Sequence, residues 1–145
     1  MKLLENTIRE LCNKYQFPQD KLKLLTSIPS VSIVISTKAI TEVPQLGQIE
    51  FNKLTSLIGL APYVRDSGNH KGKRSIFAGK AGLRKVLYMA AVASLRCNLR
   101  LKGFYDRLIA NHKPPKVALV AVMRKLLKFM NAALINNSFW VNDYV

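Results

Sequence analysis

The chain has 145 residues, 49% of them hydrophobic, which is the size and composition of one folded domain with its own core. Its 23 Lys and Arg against 8 Asp and Glu leave a formal charge of +15, while Cys12 and Cys97 stand alone, as in a reduced, cytoplasmic protein without a disulfide framework. No apolar run follows a basic start, and the most hydrophobic stretch, Val117 to Ile135, carries Arg124, Lys125 and Lys128, so neither a secretory leader nor a membrane span is expected.

Met1 to about Tyr15 reads as an amphipathic helix with Leu4, Ile8 and Leu11 on one face, stopped by Phe17-Pro18. A short helix follows over Gln19 to Thr26. Ile28-Pro29-Ser30-Val31-Ser32 then makes a tight turn, with Ser32 as a candidate N-cap. This turn resembles the hairpin of a helix-hairpin-helix module, although serines stand where that hairpin uses glycines; a plain interhelical turn fits equally well. Ile33 to Val43 is rich in β-branched residues, so strand and helix are evenly matched there. Pro44 and Gly47 mark a turn, and Asn52 to Gly59 reads as another short helix.

Tyr63 to Phe77 has no helical period. Its flanks, Tyr63-Val64-Arg65 and Arg74-Ser75-Ile76-Phe77, are expected to pair as a β-hairpin around Ser67 to Gly72. From Ala81 a 3.6-residue period runs through Leu83, Val86, Leu87, Ala90, Ser94, Cys97 and Leu101, which predicts one long helix. Phe104, Tyr105 and Leu108 mark a short helix closed before Pro114-Pro115. The last helix starts near Pro115 and buries Leu119, Val122, Met123, Leu126, Leu127, Met130 and Leu134. The expected class is mainly α: a helical domain with the hairpin-like turn at 28–32 and a small β-hairpin around Asp66-Ser67-Gly68.

The charge is segregated. Met1 to Pro62 holds 7 basic and 5 acidic residues, whereas Tyr63 to Lys128 holds 16 basic and 2 acidic ones. Solubility alone does not require that; it is the footprint expected of a nucleic-acid surface, and a membrane-binding basic helix would give a similar balance, so charge alone does not decide the partner. Lys80 with Arg84, Arg96 with Arg100, and Arg124 with Lys128 are each four residues apart, a spacing that suits a phosphate backbone; Lys85 and Lys116 add to the same field. A solvated helix face normally interleaves Glu and Asp, which are nearly missing here.

Ser67 sits among Arg65, Lys71, Lys73 and Arg74, cations suited to holding a scissile phosphate and its extra transition-state charge. A serine hydroxyl needs such help to act as a nucleophile. Asp66-Ser67-Gly68 is more commonly a simple turn, and on the residues alone that reading outweighs the catalytic one. His70 and His112 lack ligand-spaced partners. With only Asp66 and Asp106 in the basic half, no two-metal centre can be assembled from it.

In order and spacing the chain resembles the C-terminal part of insertion-sequence transposases of the "one-ten" and "eleven-eleven" families. The residues carrying the likeness are Leu24-Leu25-Thr26-Ser27-Ile28-Pro29, Leu57-Ile58-Gly59-Leu60-Ala61-Pro62, Asp66-Ser67-Gly68, Gly72-Lys73-Arg74, Leu83 to Ala91, Phe104 to Leu108, and Lys113 to Leu127. The resemblance implies a DNA recombinase with a composite active site. An N-terminal RuvC-like domain supplies an Asp-Glu-Asp-Asp set for magnesium, and the C-terminal domain supplies a serine, here Ser67, that holds DNA as a phosphoserine. It also implies structured RNA as a partner in target choice, and overrides the turn-only reading of Ser67.

Three departures stand out. The RuvC-like domain has no counterpart, so no cofactor is expected in this chain and magnesium belongs to the missing domain. Ser30 and Ser32 replace hairpin glycines, and His112 stands where a glycine is usual. Residues 1–23 are then expected as a helical connector, 24–140 as the transposase domain and 141–145 as a tail. Expected partners are DNA, structured RNA, and a second copy or an intact transposase. The competing expectations are a catalytically inactive nucleic-acid-binding fragment and a structural role through coiled-coil pairing of the first helix.

Overall fold

The computed structural model describes residues 1–61, 79–141 and, by backbone pairing, 66–67 and 70–71. The chain is mainly helical. α1 (Lys2–Lys14), α2 (Gln19–Thr26), α3 (Ile33–Glu42) and α4 (Phe51–Ile58) precede two two-residue strands, β1 (Asp66–Ser67) and β2 (His70–Lys71). α5 (Ala81–Cys97), α6 (Leu99–Ala110) and α7 (Pro115–Ile135) follow. The strands pair antiparallel, Asp66 opposite Lys71 and Ser67 opposite His70. The flanks expected to pair, 63–65 with 74–77, lie outside the described residues.

α7 is the axis of the fold. It packs against α5 and α6 most extensively and also meets α2 and α4, while α3 bridges α1 and α2 to α5. Its stripe is buried as the period predicts: Val122, Leu126, Leu127 and Met130 are sealed completely, Met123 nearly so, and Leu119 and Leu134 lie half-buried at the margins. Pro115 begins it, where a missing backbone N–H costs nothing.

The even contest over Ile33 to Val43 is settled as helix. The Ser32 hydroxyl accepts from Ile35 N at 3.4 Å, and Ile33, Ile35, Ala39 and Ile40 are then buried. Tertiary burial outweighs the slight helix penalty of β-branching.

One expectation is corrected. The long helix from Ala81 does not run through Leu101. Asn98 takes an extended conformation (φ −129°, ψ 99°), ends α5, and caps α6 by accepting from Leu101 N at 3.2 Å. Cys97 is therefore exposed rather than in the core, whereas Leu101 stays buried from the new helix. On α1, Leu4 and Leu11 are 54% and 48% exposed; only Cys12, and in part Ile8, reach the core.

Of the three substituted positions, Ser30 at φ 77° and His112 at φ 57° have left-handed backbone, whereas Ser32 is extended at φ −80°. His112 closes α6, its N–H bonding Ile109 O at 2.9 Å while Lys113 N–H bonds Leu108 O at 3.0 Å. Glycine adopts such angles freely and other residues under strain.

Elsewhere polar side chains fasten the turns. Asn131 of α7, 4% exposed, accepts from Gly47 N at 2.7 Å and donates to Ile49 O at 3.2 Å. Ser27 Oγ accepts from Trp140 N at 2.9 Å, and the Trp140 ring lies 4.8 Å from that of Phe129, returning the chain end to α2. Among the described residues no helix is long and apolar enough to cross a membrane.

Candidate nucleic-acid interface

Ser67 lies in sequence between α4 and α5, and the residues that close α4 and precede α5 meet. Gly59 ends α4 in a left-handed conformation (φ 79°, ψ 34°). Gly79, at φ 77°, lies so close that a Cβ there would stand 2.5 Å from Gly59 N and 2.6 Å from Ile58 O. Only glycine fits that approach. Arg84, half-buried on α5, locks the same junction by donating from Nη1 to Ile58 O at 3.1 Å. Beside it, Leu60, Tyr88, Met89, Val120 and Met123 line an apolar groove of about 520 Å³, with Arg84 and Lys85 also on its walls.

Of the sequence-predicted residues, Ser67 and Lys71 are located by strand pairing, and Arg65, Lys73 and Arg74 lie outside the described residues. Lys80 is the exposed N-cap of α5, and Lys85 is exposed one turn further on. Lys116 is exposed in the first turn of α7. Arg96 and Arg100 do not share a helix, because Asn98 separates the last turn of α5 from the first turn of α6; the Arg100 guanidinium instead lies 5.8 Å over the Trp140 ring. Arg124 and Lys128 do share α7, and both line a cavity of about 280 Å³ with Phe51, Phe104, Ala121 and Lys125.

Sequence reasoning missed Lys125 and the two phenylalanines as site residues. The Lys125 ammonium sits 4.1 Å over the Phe104 ring and that of Lys128 sits 6.0 Å over Phe51. Burial holds the Lys125 pKa below the ordinary lysine value, and the nearby charges of Arg107, Arg100 and Lys128 push it the same way.

Ion pairs among the described residues join Lys38 to Glu42 at 2.6 Å, Lys53 to Glu50 at 4.0 Å, and Lys102 to Asp106 at 2.6 Å. Asp106 is thus paired with a neighbouring cation. Lys80, Lys85, Arg96, Arg100, Lys116, Arg124, Lys125 and Lys128 belong to none of these pairs. No acidic residue occupies the first turn of α5, α6 or α7, where the partial positive charge of a helix end favours an anion. No three His, Cys, Asp or Glu side chains among the described residues converge as a metal site would require.

A helical frame that carries, among its described residues, several cations outside these ion pairs is of the basic, mainly α class. Comparison with known families gives that class a definite place. The model described as Transposase IS116/IS110/IS902 family matches residues 22–106, more than half of the chain. The chain belongs to this transposase family, and its function is transposase-related. Comparison with curated proteins gives no match. The matched span runs from Leu22 in α2 to Asp106 in α6, and Lys113 to Leu127 lies outside it.

Proposed function

We propose that this chain binds DNA, and a structured RNA with it, through its basic side chains, and presents Ser67 as the nucleophile of strand exchange. The observation that carries the reading is that Lys80, Lys85, Arg96, Arg100, Lys116, Arg124, Lys125 and Lys128 join none of the ion pairs found among the described residues, on a frame that belongs to a transposase family. In the chemical step the Ser67 oxygen bonds the scissile phosphorus as the bond to the departing deoxyribose oxygen breaks. The serine proton is lost and the leaving oxygen is protonated, so charge and atoms balance. Arg65 and Arg74 are assigned to position the phosphate. Lys71, Lys73, Lys80, Arg84, Lys85, Arg96, Arg100, Lys116, Arg124 and Lys128 are assigned to the nucleic-acid backbone. The family resemblance implies that a RuvC-like domain would supply the magnesium-binding acidic set; the basic half of this chain has only two acids.

The test supplies that domain and compares Ser67→Ala with the parent chain. The variant is expected to lose the covalent protein–DNA adduct while keeping DNA affinity. An undiminished adduct overturns the serine assignment. Affinity that is flat between low and moderate salt overturns the cationic interface, because phosphate contacts release counterions.

A second reading, self-association through α1, is favoured by its exposed apolar side. Met1, Leu4, Ile8, Leu11 and Tyr15 alternate at three and four residues, the spacing of a coiled-coil seam. Lys2, Glu5, Arg9, Glu10 and Lys14 flank it with both signs of charge, so a second copy is not repelled. Light scattering of the chain with and without residues 1–15 decides it: an unchanged mass rules the pairing out.

A further inference from the structure

The cavity between α4, α6 and α7 has a chemistry that a backbone-tracking surface does not need. Its walls are two aromatic rings and Ala121, and its rim is Arg124, Lys125 and Lys128. Each ring fixes one ammonium, Phe104 that of Lys125 at 4.1 Å and Phe51 that of Lys128 at 6.0 Å. The three cations sit without carboxylate neighbours among the described residues; the acids on these elements are committed, Asp106 to Lys102 and Glu50 to Lys53. Like charges brought together and partly desolvated raise the free energy of the empty site, and an anion relieves it.

We infer that this pocket takes one unpaired nucleotide of a single strand, its phosphate on Arg124, Lys125 and Lys128 and its base against Phe51, Phe104 and Ala121. A free phosphate has no use for an aromatic wall. A duplex keeps its bases stacked inside and offers only its backbone. An unpaired nucleotide carries both an anion and a flat apolar face, and about 280 Å³ suits one such unit. The inference rests on the nucleic-acid reading above and sharpens it, because it separates single strands from duplex at one place on the surface.

The experiment uses the full chain and fluorescently labelled probes: oligo-dT, oligo-rU, an abasic strand of the same length, and a duplex. The pocket variant is Arg124→Gln with Lys125→Gln; the control, with the same charge loss elsewhere, is Lys85→Gln with Lys116→Gln. The pocket variant is expected to weaken oligo-dT, oligo-rU or both by about tenfold and duplex by only about twofold to threefold. The control is expected to weaken all probes alike. Phe104→Leu keeps an apolar side chain on α6 but removes the ring; it is expected to lower single-strand affinity with the helical circular dichroism and all charges intact. Whichever of oligo-dT and oligo-rU responds more identifies the strand as DNA or RNA.

The inference is overturned if the parent chain binds the abasic strand as tightly as oligo-dT and oligo-rU, or if pocket and control variants are indistinguishable. A parent chain that binds no probe overturns the nucleic-acid reading and this one together. Pocket-insensitive binding overturns this one alone.

Discussion

α1 and α7 both show an apolar face at helical spacing, yet they end in opposite environments. Leu126 and Leu127 of α7 are fully buried among α5, α6 and α2, whereas Leu4 and Leu11 of α1 remain about half in water. Periodicity reveals that a helix has a face; it does not reveal what covers it. The difference lies in neighbours: α7 is surrounded, while α1 meets mainly α3. Apolar burial at about 25 cal/mol per Å² therefore concentrates on one helix of the pair.

The strongest way to break the contrast is Leu126→Ala, which is expected to cost about 2–5 kcal/mol by opening a cavity in the bundle. Denaturant titration measures it, and a loss under 1 kcal/mol would mean that α7 is not the axis of the core. Next comes Asn131→Ala, expected to cost about 2–3 kcal/mol because Gly47 N–H and Ile49 C=O both lose their partner. Hydrogen exchange at Gly47 should accelerate in the same variant; unchanged protection would show that the turn holds without α7.

At the connection into α7, His112→Gly is expected to raise stability by about 0.5 kcal/mol, since glycine relieves the left-handed φ of 57° at some cost in unfolded-chain entropy. A lower melting temperature would mean that the imidazole contributes more than the strain. Smallest is Leu4→Ser with Leu11→Ser on α1, expected to change monomer stability by less than about 0.5 kcal/mol. Paired with the light-scattering test, a large loss confined to high protein concentration would show that a second copy covers that face.

Much of the helical order was legible because prolines and glycines punctuate it: Pro18 opens α2, Gly59 closes α4 and Pro115 begins α7. Ser32 was visible as a cap, yet Ile33 to Val43 stayed ambiguous until burial of Ile35, Ala39 and Ile40 decided it. The break at Asn98 was hidden because Leu101 stays in register with Leu83, Leu87, Ala90 and Ser94. Asparagine interrupts a helix here by capping the next one rather than by any change in apolar pattern.

Of the site, the cations were readable from the charge imbalance, but the pocket was not. Phe51, Phe104 and Lys125 come from three helices and share no period, so only the tertiary fold brings them together. The phenylalanines read equally well as core, and they do pack in part against it, so nothing in the sequence marks them as walls of this cavity.

The contact of Gly79 with Ile58 and Gly59 also bears on how such a domain can diversify. Because residues 59 and 79 touch, the ends of the chain between them are fixed whatever its length. Lengthening a closed loop costs little, roughly 0.6 kcal/mol for each doubling. The helices can thus serve as a socket in which a differently sized serine segment is exchanged, provided the two glycines at that contact are kept.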